Sequence, residues 1–216
     1  MDFTTGEWVG IGIGILFGVL LSIYLMLKII YRGRVSGPMN YLGYSTILFL
    51  FMLPVEITRN PRWRRKMLVK SGVKEGHVVL EEGFGWGTSP LVAARMVGKR
   101  GKVYALDNQP VHVAILRARA TIMRVKNLHV ILSDAKRTGL PRGSVDVVFI
   151  NDAFHEFGDK RGTLVELHRV LKPDGLLSVN EDTAGKTNKI VTLVKAGNLF
   201  SLIERDGKFC KFKRLG

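Results

Sequence analysis

The sequence holds one cysteine, Cys210, in 216 residues. A lone cysteine cannot form an internal disulfide or a cysteine-rich zinc site, so a disulfide-stapled secreted domain is excluded. The five histidines show no spacing typical of metal ligands, and we therefore expect no metal. Internal repeats and low-complexity tracts are absent too, which excludes a solenoid and a long disordered linker.

Acidic residues are scarce relative to basic ones. The chain has 18 Asp and Glu against 33 Lys and Arg, a formal net charge of +15. It is nevertheless 46% hydrophobic, and its mean hydropathy is +0.13. An apolar and basic chain indicates contact with a membrane surface, whereas a polar and basic one is typical of nucleic-acid binding. The position of the charge along the chain must decide between the two.

Residues 8–27 contain no charged side chain. About twenty apolar residues are enough to cross a bilayer core of roughly 30 Å as a helix. Asp2 and Glu7 precede this stretch, and Lys28, Arg32 and Arg34 follow it. Because basic flanks stay on the cytoplasmic side, we expect a single-pass protein of the cell membrane, with its N-terminus outside and the remainder in the cytoplasm.

The same segment differs from a cleaved signal peptide, which begins with basic residues and ends at a small-residue cleavage site. Here the start is acidic and the end reads Lys-Ile-Ile-Tyr-Arg. We therefore expect residues 1–34 to be a retained transmembrane anchor, with its span at about residues 8–31.

A second apolar run covers residues 47–55. Nine strongly apolar residues are short for a membrane span, and a second crossing would put the rest of the chain opposite the basic flank. We predict that residues 35–60 form a membrane-proximal apolar segment and linker. For residues 44–57 an in-plane or re-entrant helix is favoured over a span, and both remain open.

Basic residues are concentrated next to these apolar segments. Residues 28–70 hold nine basic side chains and one acid, Glu56, so this basic belt from Lys28 to Lys70 has a net charge of +8. Such a belt is attracted to anionic lipid headgroups by about 1 kcal/mol per residue. Residues 71–216 carry a further +9, which keeps nucleic acid open as a less favoured partner.

Strand and helix patterns alternate from residue 61 onward, which defines a domain over residues 61–216. Apolar runs typical of buried strands occur at residues 78–82, 102–106, 128–132, 145–150 and 175–179. Helical patterns separate them, at residues 62–70, 88–97, 110–124, 160–171 and 188–196. Alternation of this kind predicts an α/β, Rossmann-like, mostly parallel sheet. Asp206-Gly207, between residues 199–205 and 208–215, predicts a terminal hairpin that adds an antiparallel strand.

A glycine-rich turn follows the first strand and reads Glu81-Glu-Gly83-Phe-Gly85-Trp-Gly87. Glycines at this place permit a tight turn and let a ligand approach backbone N–H groups. The spacing is acidic-x-Gly-x-Gly-x-Gly, which differs from the Gly-x-Gly-x-x-Gly of dinucleotide sites. By itself the turn is also compatible with a purely structural strand–helix connection.

Further segments follow this turn in a characteristic order. They are Val103 to Asp107, Ser133-Asp134-Ala135, Val145 to Ile150, and Leu167 to Gly175 with the sequence Leu-His-Arg-Val-Leu-Lys-Pro-Asp-Gly. In this order they resemble the class I S-adenosylmethionine-dependent methyltransferases of the small-molecule type 11 kind, over roughly residues 61–216. The resemblance implies a seven-stranded sheet with a reversed last strand, and S-adenosylmethionine as cofactor.

The resemblance also implies roles for particular residues. Gly83, Gly85 and Gly87 would border the methionine part of the cofactor, and Glu81 would hold its amino end. Asp107 would accept hydrogen bonds from the ribose hydroxyls, since a diol calls for a carboxylate acceptor. The remaining cofactor-binding residues are Asp134 at the adenine amino group, Ala135 beside it, and Asn151 in the segment that borders the methionine. Phe84 and Trp86 depart from the small residues usual in this turn, and these aromatics could narrow the pocket or stack against a substrate.

The segment Asn151 to Phe157 holds the candidate catalytic groups. Methyl transfer mainly needs alignment of the acceptor and removal of water, with a base only when the acceptor carries a proton. His155 is the candidate general base because a histidine titrates near neutral pH. Asp152 and Glu156 are its rivals.

Three functions are compatible with this reading. The favoured one is a membrane-anchored methyltransferase acting on a small lipophilic acceptor such as a lipid, quinone or isoprenoid, since an anchored pocket would lie where such acceptors concentrate. An RNA or protein methyltransferase at the membrane is the second; the RNA 2′-O enzymes use a Lys-Asp-Lys-Glu tetrad, for which Lys70, Asp152, Lys186 and Glu204 could stand. The third is a non-catalytic membrane adaptor that keeps a cofactor-binding fold.

Overall fold

The structure is a computed structural model, and it describes Gly14, Gly18 and residues 62–216. The chain divides into two units, Met1–Glu56 and Ile57–Gly216. Apart from Gly14 and Gly18, the predicted anchor and the predicted segment at residues 35–60 lie outside the described residues. Among the residues that are described, no helix is both long enough and apolar enough to cross a bilayer.

Helices and strands alternate through the described part of the second unit. The helices are α1 (Arg62–Lys70), α2 (Thr88–Val97), α3 (Pro110–Ile122), α4 (Lys160–Val170) and α5 (Ala184–Gly197). The strands are β1 (Val78–Glu82), β2 (Lys102–Asp107), β3 (Leu128–Leu132), β4 (Val145–Asn151), β5 (Leu171–Asn180), β6 (Phe200–Asp206) and β7 (Phe209–Arg214). A short 3₁₀ helix, Phe154–Glu156, follows β4.

All seven strands belong to one sheet, in the order β3-β2-β1-β4-β5-β7-β6. The pairs from β3 to β5 are parallel, and β7 is antiparallel to both β5 and β6. The order steps outward in both directions from β1 and β4, so the loops after these two strands diverge and leave a crevice at the carboxyl edge of the sheet. The predicted seven-stranded, mostly parallel sheet with an antiparallel last strand is confirmed.

Helices cover both faces of this sheet, as the near-continuous apolar strands require. On one face α4 and α5 contribute Leu164, Leu167, Ile190 and Val194 to a cluster around Leu80 of β1. On the other face α1, α2 and α3 contribute Leu68, Leu91, Val113 and Leu116 to a cluster around Val79. Each of these buried aliphatic side chains stabilises the fold by about 1.5–3 kcal/mol relative to full exposure.

Several element bounds differ from those predicted, two of them by four residues. β5 begins at Leu171 rather than at residue 175, because the pairing passes from Val145↔Leu171 to Val147↔Leu176 through an irregularity that takes up Pro173. α5 begins at Ala184 rather than at residue 188, since the Thr183 hydroxyl accepts a hydrogen bond from the Lys186 N–H and caps the helix. The hairpin turns at residues 207–208, one residue later than predicted.

Candidate active site

The predicted cofactor residues are all at or just beyond the carboxyl ends of strands. β1 ends at Glu82, β2 at Asp107, β3 at Leu132, and β4 at Asn151. The predicted set is Glu81, Gly83, Gly85, Gly87, Asp107, Asp134, Ala135 and Asn151. Because parallel strands end at the same edge of a sheet, the fold gathers these residues along one rim.

The glycine turn has a backbone that only glycine adopts without strain. Gly83, Gly85 and Gly87 have φ values of +68°, +48° and +68°. A side chain at Gly83 would overlap the Ala153 methyl, so the turn after β1 packs directly on the loop after β4. A side chain at Gly85 would meet nothing within 4 Å, so the middle of the turn is open to a ligand.

The two aromatic residues of this turn do not act alike. Phe84 is buried among the apolar side chains on the α2 face of the sheet, so it fills the core and does not narrow a pocket. Trp86 is partly exposed, and its carbonyl accepts a hydrogen bond from the Arg119 guanidinium. The expectation that both aromatics line the pocket therefore fails for Phe84.

Glu81 is a buried carboxyl group with unused hydrogen-bonding capacity. Its side chain is 2% exposed, and Oε2 has no hydrogen-bond partner among the described residues. Burial raises the pKa of Glu81 well above its usual range; the positive charge of Arg64 opposes this rise and the Asp107 carboxylate adds to it. A buried acceptor without a partner suits a cationic or hydrogen-bonding group of a ligand.

Arg64, beside Glu81, was predicted as part of the basic belt that faces lipid headgroups. In the structure it is 7% exposed, since it lies on the inner side of α1. Lys70, another member of the belt, is ion-paired with Asp206 and Glu204. Both side chains therefore make contacts within the domain, where they are not available to lipid headgroups. Arg62, Arg65 and Lys66 are the exposed members of the belt among the described residues.

Asp107 ends β2 and is 5% exposed. Its Oδ2 accepts a hydrogen bond from the Gly85 N–H (3.1 Å) and lies 3.2 Å from His112 Nδ1, while Oδ1 accepts from the Gln109 N–H (2.9 Å). The carboxylate thus fixes the glycine turn to the end of β2. A carboxylate has about four acceptor positions, so three partners from the chain leave room for one ligand hydroxyl.

Asp134 and Ala135 lie in the loop after β3. Asp134 Oδ1 accepts a hydrogen bond from the Lys136 N–H (3.0 Å), which holds the loop in a turn, and Ala135 is buried. The negative charge of Asp134 also raises the pKa of Glu82, after burial and the Glu166 carboxylate. The loop after β3 is therefore close enough to the end of β1 to share one site.

Asn151, at the end of β4, is hydrogen-bonded to the end of the neighbouring strand β5. Its Oδ1 accepts a hydrogen bond from Asn180 Nδ2 (2.9 Å), and the next N–H, of Asp152, donates to the Asn180 carbonyl (2.7 Å). Asp152 itself has a φ of +52°, which is uncommon for a residue other than glycine. The 3₁₀ helix follows this bend, and Ala153 between them packs on Gly83 of the glycine turn.

His155 lies in that 3₁₀ helix between two charged groups. Its Nδ1 is 2.7 Å from Glu181 Oε2, and its Nε2 is 3.0 Å from Lys186 Nζ. The sequence did not single out Glu181, although its place directly after β5 follows the same strand-end rule as Asp107 and Asn151. His112 and Arg64 were missed as well, and no sequence signal assigns them to the site.

Asp152, His155 and Glu181 bring three metal-type ligand atoms within 4.8 Å of one another. The spacing of histidines along the chain could not reveal this group. In the structure the ring of this group contacts two charged side chains, with Nδ1 2.7 Å from Glu181 Oε2 and Nε2 3.0 Å from Lys186 Nζ.

The Lys-Asp-Lys-Glu tetrad of the RNA alternative is divided into two groups. Lys70 lies 3.9 Å from Glu204, whereas Lys186 pairs with Asp182 at 2.9 Å and borders His155. Among the described residues no ion pair joins these two groups. The structure therefore gives that alternative no assembled centre.

A cleft of about 980 Å³ lies at the opposite edge of the sheet, where β1, β4 and β5 begin. Its wall includes Asp146, whose carboxylate accepts hydrogen bonds from Lys172 Nζ and the Val78 N–H, both at 2.7 Å. The Asp146 carboxylate thus links β4 to β5 and to β1. The cleft is separate from the rim that carries the predicted cofactor residues.

Known proteins are similar to this chain in sequence and in fold. Residues 80–179 match the family described as a methyltransferase domain. A solved structure of a SAM-dependent methyltransferase from Aquifex aeolicus is 26% identical, with a TM-score of 0.65, and the match covers 74% of this chain and 94% of that one.

The strand order and the glycine turn agree with these matches. Residues 80–179 carry the methyltransferase domain, the described fold is similar to that of the SAM-dependent methyltransferase, and the matches imply S-adenosylmethionine as the cofactor. Among curated proteins it is similar to the ubiquinone/menaquinone biosynthesis C-methyltransferase UbiE of Blochmanniella floridana, 27% identical over 68% of this chain and 58% of the relative. It is also similar to the demethylmenaquinone methyltransferase of Lactobacillus johnsonii, 33% identical over 61% of this chain and 54% of the relative. The chain thus spans little more than half the length of these relatives.

Proposed function

We propose that this protein is a membrane-anchored methyltransferase that transfers a methyl group from S-adenosylmethionine to a quinone-type lipophilic acceptor. The observation that carries the proposal is the gathering of Glu81, the glycine turn and Asp107 on one rim, with Gly85 hydrogen-bonded to Asp107. A turn held open in this way, between two buried carboxyl groups, has the chemistry that the cofactor requires.

The chain's residues fit the cofactor group by group. Glu81, with an unpartnered buried oxygen, would take the cationic amino end, and Asp107 would accept a hydrogen bond from the ribose. Asp134 and Ala135 would border the adenine, and Asn151 the methionine part. When bound, the cofactor supplies an electrophilic methyl group on a good leaving group, so the protein's tasks are alignment and exclusion of water.

Two arguments support a quinone-type acceptor. The curated relatives carry names that state quinone methylation, one of them methylation at carbon. Methylation at carbon needs an electron-rich ring, and a quinone becomes electron-rich when it is reduced to the hydroquinone. We therefore infer that the acceptor enters as a hydroquinone, with His155 as the candidate base for its hydroxyl proton.

The membrane part of the proposal rests on sequence and on one helix surface. The uncharged residues 8–27 supply the anchor, with the N-terminus outside and the catalytic domain in the cytoplasm. On α1, Trp63 is 38% and Val69 57% exposed, beside the exposed basic residues Arg65 and Lys66. Apolar side chains among basic ones suit the headgroup layer of an anionic membrane.

Methyl-labelled S-adenosylmethionine tests the proposal directly. Membranes that contain the full-length protein are incubated with the labelled cofactor under reducing conditions, and the organic extract, RNA and protein are separated. We expect label in the lipid extract, on a quinone resolved by chromatography. Label confined to RNA or protein, or cofactor binding without any transfer, would refute it.

A pair of variants makes this experiment specific. Asp107→Ala should abolish labelling and measurable cofactor binding, because the variant loses both the ribose acceptor and the Gly85 contact. Asp174→Ala removes an aspartate whose side chain is 92% exposed and paired with Lys213 at the surface, so labelling should persist. Circular dichroism shows whether Asp107→Ala remains folded; a folded variant of unchanged cofactor affinity refutes the ribose assignment.

A further inference from the structure

His155 is held by one buried carboxylate through two contacts. Its Nδ1 lies 2.7 Å from Glu181 Oε2, and its backbone N–H donates to Glu181 Oε1 at 3.2 Å. Glu181 is 1% exposed and follows β5 directly, with its own N–H donating to the Lys208 carbonyl at 3.0 Å. A rigid strand end therefore sets both the position and the rotation of the imidazole.

These contacts define which ring nitrogen carries the proton. A carboxylate only accepts hydrogen bonds, so the neutral ring donates from Nδ1 to Glu181. Nε2 then has a free electron pair, and it accepts the hydrogen bond from Lys186 Nζ at 3.0 Å. The base position of the ring thus points away from Glu181 and towards an ammonium group.

Acidic groups outnumber basic ones around the ring. The groups that face it are Asp152, Glu156, Glu181, Asp182 and Lys186. The Lys186 charge is offset by Asp182 at 2.9 Å, which leaves an excess of carboxylates near the imidazole. Burial raises the pKa of Glu181 and the His155 ring opposes that rise, so the buried carboxylate is best stabilised when the ring is positively charged.

The three side chains belong to the rim that carries the cofactor residues. Ala153, two residues before His155, packs on Gly83 of the glycine turn. Lys186 lies in the first turn of α5, which starts just beyond the end of β5. A molecule next to the glycine turn would therefore be within reach of the Nε2–Nζ pair.

We propose that Glu181, His155 and Lys186 form a proton relay that ionises a hydroxyl group of the acceptor. The hydroxyl displaces Lys186 Nζ from His155 Nε2 and takes its place; its O–H bond breaks, the electron pair stays on oxygen, and the proton binds to Nε2. Lys186 keeps its own proton and donates a hydrogen bond to the resulting oxyanion. Glu181 is a positioning residue, which holds the ring and stabilises the imidazolium.

The relay selects among acceptors, and it rests on the function proposed above. A phenol or hydroquinone can give its proton to Nε2 and leave an oxyanion that accepts a hydrogen bond from Lys186, whereas an acceptor without an acidic proton gains nothing from the relay. The site is therefore specific for acceptors with an ionisable hydroxyl.

The tautomer of His155 tests the relay without any methyl transfer. Nitrogen NMR of the cofactor-free full-length protein in detergent, labelled with ¹⁵N-histidine and containing EDTA, reports which nitrogen is protonated, and His155→Gln assigns the signal. We expect the Nδ1–H form of the neutral ring. An Nε2–H form, or a tautomer that differs between samples with and without EDTA, overturns the proposal.

Rates test the same residues with a demethylated naphthohydroquinone, kept reduced with dithionite, as acceptor. His155→Gln should lower kcat about 10²–10⁴-fold. Glu181→Gln should lower it less and move the acid side of the rate–pH profile to lower pH, because the imidazolium loses its carboxylate partner. Glu181→Asp should restore part of the rate, and Lys186→Met should reduce kcat with little change in cofactor affinity.

Glu75→Gln is the matched control, since Glu75 is an exposed carboxylate paired with Arg100 on the surface, and it should leave rate and profile unchanged. If wild-type protein methylates the hydroquinone while Glu181→Gln keeps its full rate and profile, the relay is wrong and the proposed function stands. If the wild type methylates no acceptor, the proposed function fails, and the tautomer still decides whether the relay geometry exists.

Discussion

Glu82 is a fully buried carboxyl group whose two oxygens have no hydrogen-bond partner among the described residues. Burial, with the nearby Glu166 and Asp134 carboxylates, raises its pKa well above the usual range. A raised folded-state pKa adds stability that is full below the unfolded value of about 4.3 and is lost as pH rises through the folded value. At neutral pH this residue therefore destabilises the fold.

Replacement of Glu82 by leucine should stabilise the domain. Removal of an unpaired buried polar group is worth about 1–3 kcal/mol, or roughly 2–4 °C in Tm per kcal/mol for a chain of this size. Thermal unfolding without cofactor measures the effect between pH 4 and 8, and the gain should grow with pH. Glu75→Leu, at an exposed site, should change Tm little. A gain independent of pH would show that Glu82 does not titrate in this range.

Burial has a different consequence at Cys210, where it suppresses the reactivity of a side chain. Its thiol is fully buried, next to the Val179 carbonyl, and burial raises its pKa to about 12. Since the thiolate is the reactive form, this cysteine is inert at neutral pH. The one cysteine of the sequence is therefore a core residue.

At the scale of elements, the turn after β1 depends on a close contact as well as on glycine's backbone freedom. Gly83 and Gly139 have nearly the same φ, +68° and +71°, but only at Gly83 would a side chain collide with a neighbour, Ala153. Alanine in this backbone region costs about 1–2 kcal/mol by itself. A comparison of alanine variants at Gly83 and Gly139 therefore distinguishes the cost of backbone strain from the cost of steric overlap.

Gly83→Ala should destabilise the domain more than Gly139→Ala does. We expect Gly139→Ala to show the backbone cost alone, and Gly83→Ala to add the cost of moving the loop after β4, with weaker S-adenosylmethionine binding. Chemical denaturation and calorimetry measure the two effects. Equal losses of stability in both variants would mean that the loop after β4 yields freely.

Elements fixed by neighbouring residues could be predicted from the sequence, and elements fixed by contacts between distant residues could not. β1 and α2 were predicted with their observed bounds, because apolar runs and the glycine turn are local signals. The early start of β5 was not, since it depends on pairing of Leu171 with Val145, 26 residues earlier in the chain. The same reason applies to the site. Asp107 was predicted from the family resemblance, which rests on motifs that are local in the sequence, whereas the contact between Glu181 and His155 requires the sheet to be assembled.

At the scale of the whole molecule, the basic side chains next to the domain fall into two groups. Part of the basic belt supports the domain, through buried Arg64 and ion-paired Lys70. The exposed part, on α1, surrounds Trp63 and Val69 and supports our proposal that the domain rests on the membrane. At about 1 kcal/mol per basic residue, Arg65 and Lys66 would contribute about 2 kcal/mol to that contact.

Trp63 fluorescence tests this contact in the full-length protein reconstituted into bilayers. With Trp8 and Trp86 replaced by phenylalanine, brominated lipids should quench Trp63 in anionic bilayers. Arg65→Gln/Lys66→Gln should lose most of this quenching, whereas Arg124→Gln/Lys126→Gln, with the same change of charge at exposed sites elsewhere, should keep it. Absence of quenching in every bilayer would contradict the membrane contact.

The position of β7 has a consequence for how the chain folds as it leaves the ribosome. β7 follows β6 in the sequence but lies between β5 and β6 in the sheet. β6 is therefore made without a neighbour to pair with, and the open side of β5 stays uncovered until translation has passed Arg214. The sheet is completed by its last strand, so the rim from β1 to β5 can form during synthesis while the β6–β7 hairpin docks only after synthesis of β7.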